Sequence, residues 1–363
     1  MKICYFGDYN LNYPRNRVLL KGFSENGVEI LECHSDKKGF SLYWGLFWKH
    51  WKIRKKYDVL IVAQSFTSDL ARFAQWISNK KVVWDAFYSF YDRDIFGDGS
   101  VVPQGFRQRA RWRDERQSCR AADLVLLDTE EDIKYFSEEY GIPKEKFKKV
   151  LAGADISRIP SREKTGTNKF VIHFHGNYSL LQGVKYVVGA AKILEGCMDI
   201  RFNLVGGGQT FVDDKRLAYG YNLKNIKFIE EVDDQKVLDL AEEADICLGV
   251  FGNTPRTKRV IPKKVFEAIA LRKPVISADT PAMRELFIDR ENILFCRIGN
   301  HEDLANKILE LRNDGTLREK IAAAGYQLFQ ERATPKVIVG DLVEKLNELV
   351  LVESHSNGLG LGS

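Results

Sequence analysis

No stretch of this chain approaches the ~18–20 consecutive apolar residues of a membrane-spanning helix, so no span is expected even though apolar residues make up 44% of its 363 positions. Cysteine is sparse and scattered. Cys4, Cys33, Cys119, Cys197, Cys247 and Cys296 form no CxxC pair and lie near no histidine at ligand spacing, so they read as buried thiols of a reducing cytosol, with no metal site and no disulfide framework. A strong charge of one sign is also missing: the net charge is +5, too small for a nucleic-acid partner to be expected. The opening Met1-Lys-Ile-Cys-Tyr-Phe-Gly lacks the length and cleavage site of a signal peptide, which points to a cytoplasmic protein. No serine stands in a nucleophile elbow and no cysteine has a suggestively spaced histidine, so covalent hydrolase chemistry has no support.

The chain does carry a regular alternation. At 363 residues it is long enough for two domains of ordinary size, and short β-branched runs alternate throughout with longer amphipathic stretches, the pattern of parallel sheets covered by helices on both faces. Strands are expected near Lys2–Phe6, Val28–Cys33, Val59–Val62, Val82–Asp85, Leu124–Leu127 and Lys148–Leu151. A second six follow near Phe170–Phe174, Arg201–Val205, Ile226–Ile229, Ile246–Val250, Pro274–Ser277 and Ile293–Cys296. The polar Ile159-Pro-Ser-Arg-Glu-Lys-Thr-Gly-Thr-Asn168 between them fits a linker. The expected division is 1–158, linker 159–168, 169–332, a helix over 333–352 and a flexible tail over 353–363.

In open α/β sheets, ligands bind beyond the carboxyl ends of strands. Three segments stand there. Phe202-Asn-Leu-Val-Gly-Gly-Gly-Gln209 ends a strand in three glycines, and His175-Gly-Asn-Tyr-Ser-Leu-Leu-Gln-Gly183 follows another; both permit close approach to a phosphate, and each is weak evidence alone. The third, Val260-Ile-Pro-Lys-Lys-Val-Phe-Glu-Ala-Ile-Ala, is more specific. Pro262 suits a helix start, which puts Lys263 and Lys264 in the first turn and Glu267 one turn later. There the lysines face phosphates, and the carboxylate can accept both ribose hydroxyls of a nucleotide.

With these residues in place the chain resembles glycosyltransferase family 4 of the GT-B superfamily over nearly its whole length. The landmarks are Lys2-Ile-Cys, Arg120-Ala-Ala-Asp-Leu-Val, Gly153-Ala-Asp155, Val205-Gly-Gly-Gly, Ala244-Asp-Ile-Cys-Leu and Lys264-Val-Phe-Glu-Ala-Ile-Ala followed by Pro274-Val-Ile. The resemblance implies an α/β GT-B fold of two Rossmann-like domains facing a central cleft, with the C-terminal helix crossing back to the N-terminal domain. It implies a retaining hexosyltransferase that takes a nucleotide-diphosphate sugar as donor and needs neither cofactor nor metal. The donor side would comprise Gly176, Asn177, Gln182, Gly207, Gly208, Glu231, Lys258, Lys263, Glu267 and Glu285, with Gly208 and Glu231 near the base. Catalysis would fall to Lys264, Arg259 and Asp85, the last beside the reacting sugar or else a turn residue, and Arg15 and Asn16 would meet acceptor or phosphate.

The chain departs from the family pattern at several positions. Arg259 stands where a first glutamate is usual, Asn177 and Gln182 replace an arginine and a lysine, and Asn12-Tyr-Pro-Arg-Asn16 replaces two glycines. The diphosphate's countercharge must then come from Arg15, Lys258, Arg259, Lys263 or Lys264, with Lys264 favoured. A non-catalytic scaffold fits these losses; a sugar-nucleotide epimerase is the remoter alternative. Asp92-Arg-Asp94 matches a metal-binding DxD but follows no suitable strand, so it is expected to be a loop. His173 and His175 are taken to face opposite sides of their strand, His173 packed and His175 towards the donor.

One segment bears on the acceptor. Phe40-Ser-Leu-Tyr-Trp-Gly-Leu-Phe-Trp-Lys-His-Trp-Lys-Ile-Arg-Lys-Lys-Tyr57 mixes aromatics with cations, as a helix lying in a lipid headgroup layer does. Trp44, Trp48, Lys49, Lys52, Arg54, Lys55 and Lys56 would make the contact with an anionic membrane, placing the enzyme on the cytoplasmic face with a glycan or lipid-linked acceptor. A core helix with a basic outer face is the alternative. Arg107-Gln-Arg-Ala-Arg-Trp-Arg113 is a second basic run.

Overall fold

The computed structural model describes residues 1–65, 67, 69–96, 105–155, 169–230 and 232–358. The first half runs β1 (Lys2–Gly7), α1 (Pro14–Glu25), β2 (Glu29–His34), α2 (Phe40–Ile53), β3 (Val59–Val62), α3 (Leu70–Ile77), β4 (Val82–Phe87), α4 (Phe90–Phe96), α5 (Phe106–Ala121), β5 (Leu124–Leu127), α6 (Glu130–Tyr140) and β6 (Phe147–Lys149). The second runs β7 (Phe170–His175), α7 (Val184–Ile193), β8 (Ile200–Val205), α8 (Phe211–Gly220), β9 (Ile226–Ile229), α9 (Asp234–Glu242), β10 (Ile246–Leu248), α10 (Lys263–Ala270), β11 (Val275–Ala278), α11 (Pro281–Arg284) and β12 (Leu294–Cys296). Helices α12 (His301–Asn313), α13 (Gly315–Arg332) and α14 (Pro335–Gly358) follow.

The strands form two six-stranded parallel sheets, ordered β2-β1-β3-β4-β5-β6 and β12-β11-β10-β7-β8-β9. Each strand expected from the sequence is present, displaced at its ends by no more than two residues. Central strands such as Val59–Val62 and Leu124–Leu127 are buried at every position, as sheets covered on both faces require. Together the two sheets are the paired Rossmann-like units of a GT-B fold.

Contacts divide the chain into a first unit of 1–91, 103–153 and 334–363 and a second of 92–102 and 154–333. In the first, α14 packs against α1, where Gly22 lets the helices touch: a Cβ there would lie 2.3 Å from the Pro335 carbonyl oxygen. The final helix thus returns to the N-terminal sheet, its buried Ile338, Val339, Leu342 and Leu346 joining the core beneath β1 and β3. It continues to Gly358, beyond the 352 expected from the loss of periodicity. Asp92-Arg-Asp94 lies within α4 and not in a loop. The linker 159–168 and Glu231 lie outside the described residues.

Candidate functional site

In the second unit, the carboxyl ends of β7 and β8 meet through bare backbone. Gly176 and Gly206 adopt φ of +145° and +120°, and a Cβ on Gly206 would stand 2.2 Å from the Gly176 carbonyl oxygen, so no side chain fits. The turns are stitched together by the Tyr178 amide donating to the Gly207 carbonyl at 2.7 Å. Beneath Gly176 sits an amine: a Cβ there would lie 2.9 Å from Lys264 Nζ.

Helix α10 supplies the charged groups. Pro262, extended at φ −71° and ψ 142°, starts it without any side-chain cap, leaving the positive end of the helix dipole unneutralised by a cap. Lys264 Nζ donates to Gln182 Oε1 at 2.6 Å and lies 3.6 Å from the centroid of the Phe174 ring. Burial pushes this amine well below the usual lysine range, only partly opposed by Glu267. Burial alone would raise the Glu267 carboxyl, but the Lys263 ammonium at 2.8 Å and the His175 imidazole outweigh it and hold the pKa at about 2. Glu267 is therefore an ionised acceptor beside a scarcely hydrated amine. A cavity of about 230 Å³ opens here, walled by Val205, Val232 and Val237 and edged by His175, Asn177, Lys263 and Glu267.

The two histidines correct the sequence expectation. Positions two apart on a strand share a face, and His173 Nε2 and His175 Nδ1 lie 3.0 Å apart. His175 Nε2 is in turn 3.0 Å from Glu267 Oε2. Both rings are buried, and burial, together with the charge of Lys264, lowers the pKa of each. An His-x-His alternation at a strand end carried this signal, and correct use of the two-residue period finds it.

The remaining site candidates scatter. Gly208 packs onto Asn177 and Tyr178. Lys258 is exposed on a 3-10 turn over Arg256–Arg259, whereas Arg259 lies 2.5 Å from Asp92, which groups with the same unit. Glu285 is half-buried at the end of α11 and does not line the cavity. In the first unit, Arg15 and Asp85 face each other, sealed from solvent, instead of presenting charge to a ligand. Asn16 is also buried, accepting from the Tyr5 hydroxyl and donating to the carbonyls of Asn10 and Gln64. Arg15 and Asn16 were expected to meet acceptor or phosphate, and Asp85 to lie beside the reacting sugar or else serve as a turn residue; in the structure all three make their contacts inside the unit.

Helix α2 turns Leu42, Leu46 and His50 inward. Phe40, Trp44, Trp48 and Trp51 are exposed, Trp44 by 56%, and stack as a ladder in which Trp44 contacts Phe47 and Trp48. Through Tyr43 and Phe73 the aromatic surface continues to Trp76 of α3, 76% exposed and not anticipated from sequence. Lys49 donates to the His34 carbonyl and Arg54 covers the Trp51 ring. Lys52, Lys55 and Lys56 are exposed.

The strand-end glycines, and the buried lysine and ionised glutamate of α10, lie within a segment that matches a known family. Residues 155–328 match the family Glycosyl transferases group 1. The group 1 region contains the whole cavity just described. An uncharacterized glycosyltransferase of Methanocaldococcus jannaschii is 24% identical over 184 residues, covering 48% of this chain and about half, 50%, of that relative's length. Among solved structures, Anabaena Alr3699/HepE in complex with UDP superposes with a TM-score of 0.73 at 17% identity, over 96% of this chain and 100% of that one. Sucrose-phosphate synthase from Thermosynechococcus elongatus gives 0.72 at 14%, over 97% and 100%. At these identities the likeness is one of fold, and that fold is GT-B. Among the described residues no helix is long and apolar enough to cross a membrane.

Proposed function

We propose that this chain is a retaining, metal-independent glycosyltransferase that transfers a hexose from a nucleoside-diphosphate sugar. The observation that carries the reading is the pairing on α10 of Lys264, buried beneath Gly176, with the ionised Glu267 one turn on. A nucleoside diphosphate has complementary parts: two ribose hydroxyls that donate to a carboxylate and phosphates that need a cation. Alr3699/HepE has been solved in complex with UDP-glucose, and the three valines of this cavity give an apolar wall for a base.

Lys264 takes the role that the missing loop lysine and arginine would fill. Its hydrogen bond to Gln182, at the loop position where the family pattern has a lysine, supports this reading. As the glycosidic bond breaks, negative charge grows on the leaving diphosphate, and a preorganised cation in a poorly solvated place stabilises that charge most. The acceptor hydroxyl attacks from the leaving-group side and passes its proton to a phosphate oxygen. Asp85 and Arg259, both engaged in ion pairs, have no step in this scheme.

The exposed aromatic ladder of α2 supports a lipid-linked acceptor approached from an anionic membrane surface on the cytoplasmic side. Tryptophans beside lysines suit the headgroup layer, where rings bury and ammonium groups meet phosphate. Lys52, Lys55 and Lys56 suit this contact better than Lys49 and Arg54, which are held by the protein itself.

A thermal-shift panel of UDP-, GDP-, ADP- and dTDP-sugars tests the donor reading, because a ligand of the folded state raises stability by mass action. One nucleotide class is expected to stabilise the protein and to be consumed with an acceptor. Binding without turnover on any glycan or lipid-linked acceptor would favour a scaffold, and absence of any shift removes the nucleotide site.

A further inference from the structure

The hydrogen-bond chain His173–His175–Glu267 runs inward from the cavity and ends in the sheet. His175 edges the cavity, while His173 is wholly buried and does not line it. Geometry and charge together fix where every proton sits. Glu267 is ionised and can only accept, so His175 Nε2 carries a hydrogen and donates across the 3.0 Å contact. His175 is neutral, which leaves Nδ1 as a lone pair, and His173 must donate to it from Nε2. His173 is neutral too, so its Nδ1 is bare, and that atom has no hydrogen-bond partner among the described residues.

The opposite arrangement fails at both ends. It would bury an unpaired N–H on His173 and set a lone pair of His175 against the carboxylate, and an orphaned buried donor alone costs ~1–3 kcal/mol. We infer that His173 and His175 are positioning residues, a two-imidazole relay that locks the Glu267 carboxylate in the orientation that receives the ribose hydroxyls of the donor. The inference rests on the nucleoside-diphosphate reading of the cavity. One carboxylate oxygen is held by His175 and the other by Lys263, which leaves the remaining lone pairs, about two of the four that a carboxylate offers, for two hydroxyl donors. His173 acts only through His175, by fixing its tautomer.

Nitrogen NMR of the imidazoles in the full chain is expected to show both rings protonated at Nε2. An Nδ1-protonated form of either ring overturns the relay whatever the ligand. Titration with UDP and with 2′,3′-dideoxy-UDP then separates positioning from packing. His173→Phe keeps a ring but no donor, and is expected to weaken UDP by about tenfold while changing dideoxy-UDP by less than about twofold. His173→Gln retains an N–H and is expected to recover most of the loss; His173→Leu, which also lacks a donor, provides the measurement if the phenylalanine variant does not fold. Equal losses for both nucleotides mark a packing role and overturn the proposal. If Glu267→Ala binds UDP like the parent protein, the nucleoside reading falls; if it weakens UDP and the His173 variant without a donor does not, the relay alone falls.

Discussion

The Arg15 guanidinium clasps the Asp85 carboxylate, with Nη2 to Oδ1 at 2.9 Å and both side chains at 0% exposure. Arg15 Nη1 also donates to the carbonyls of Val150 and Leu151, each at 2.8 Å. The pair thereby ties α1 to β4 and to the chain after β6. Burial opposes the Arg15 charge, and Asp85 outweighs that burial, raising the guanidinium above its usual range.

Removing one partner leaves the other charge buried and unpaired. Asp85→Ala is expected to lower unfolding free energy by ~3–5 kcal/mol, measured by denaturant titration, with nucleotide affinity of the folded protein unchanged. Arg15→Met combined with Asp85→Leu should recover much of the loss. A stable Asp85→Ala protein that has lost only turnover would return Asp85 to the reacting sugar.

Lys264→Met should raise the stability of the ligand-free protein by ~1–3 kcal/mol, because an apolar side chain replaces a desolvated amine, while depressing kcat more than donor affinity. The sign follows from linkage. With its folded pKa lowered, Lys264 binds fewer protons folded than unfolded, so its contribution to stability rises with pH between that lowered value and the ordinary lysine range. A bound diphosphate favours the ammonium form, so calorimetry in buffers of different ionisation enthalpy, at a pH within that window, should register proton uptake. No uptake and equal losses in affinity and kcat would assign Lys264 to ground-state binding.

Glu267→Gln should weaken nucleotide binding by ~1.5–3 kcal/mol through lost charge-assisted hydrogen bonds, read by isothermal titration. The same substitution bears on acid stability. With its folded pKa at about 2, Glu267 contributes stability above the unfolded value of 4.5 that is lost as pH falls through about 2. The variant should therefore show a flatter decline of stability between those values, and an unchanged profile would contradict the ionised assignment.

Activity should survive EDTA, since Lys263, Lys264 and the uncapped start of α10 supply the positive field. Complete loss reversed by Mg²⁺ or Mn²⁺ would sink the metal-independent mechanism.

The protein should co-sediment with anionic but not neutral vesicles, less so as salt shortens the Debye length below ~8 Å. Trp44→Ser with Trp48→Ser should abolish sedimentation, and charge reversal at Lys52, Lys55 and Lys56 should reduce it, with turnover on a soluble acceptor analogue retained. Protein that stays in the supernatant at low salt removes the membrane contact.

The twelve strands of the described residues and their order along the chain were legible in the sequence, because a strand buried on both faces is a local run such as Val59–Val62, and its companion helices are local amphipathic stretches. The α10 cluster was legible for the same reason: Pro262, Lys263, Lys264 and Glu267 lie within six positions and one helical turn fixes their order. Which polar groups meet across the sheet was not legible. Arg15 and Asp85 are 70 positions apart, Lys264 and Gln182 are 82 apart, and His175 and Glu267 are 92 apart. A hydrogen bond leaves no periodic trace in either segment it joins, so Arg15 and Asp85 looked equally fit for a ligand until packing sealed them together. The α2 helix shows the same division of labour. Its aromatics and lysines were written in the sequence, but the choice of Leu42, Leu46 and His50 for the core, and so the outward face of Trp44 and Trp48, came from the shape of the sheet beneath.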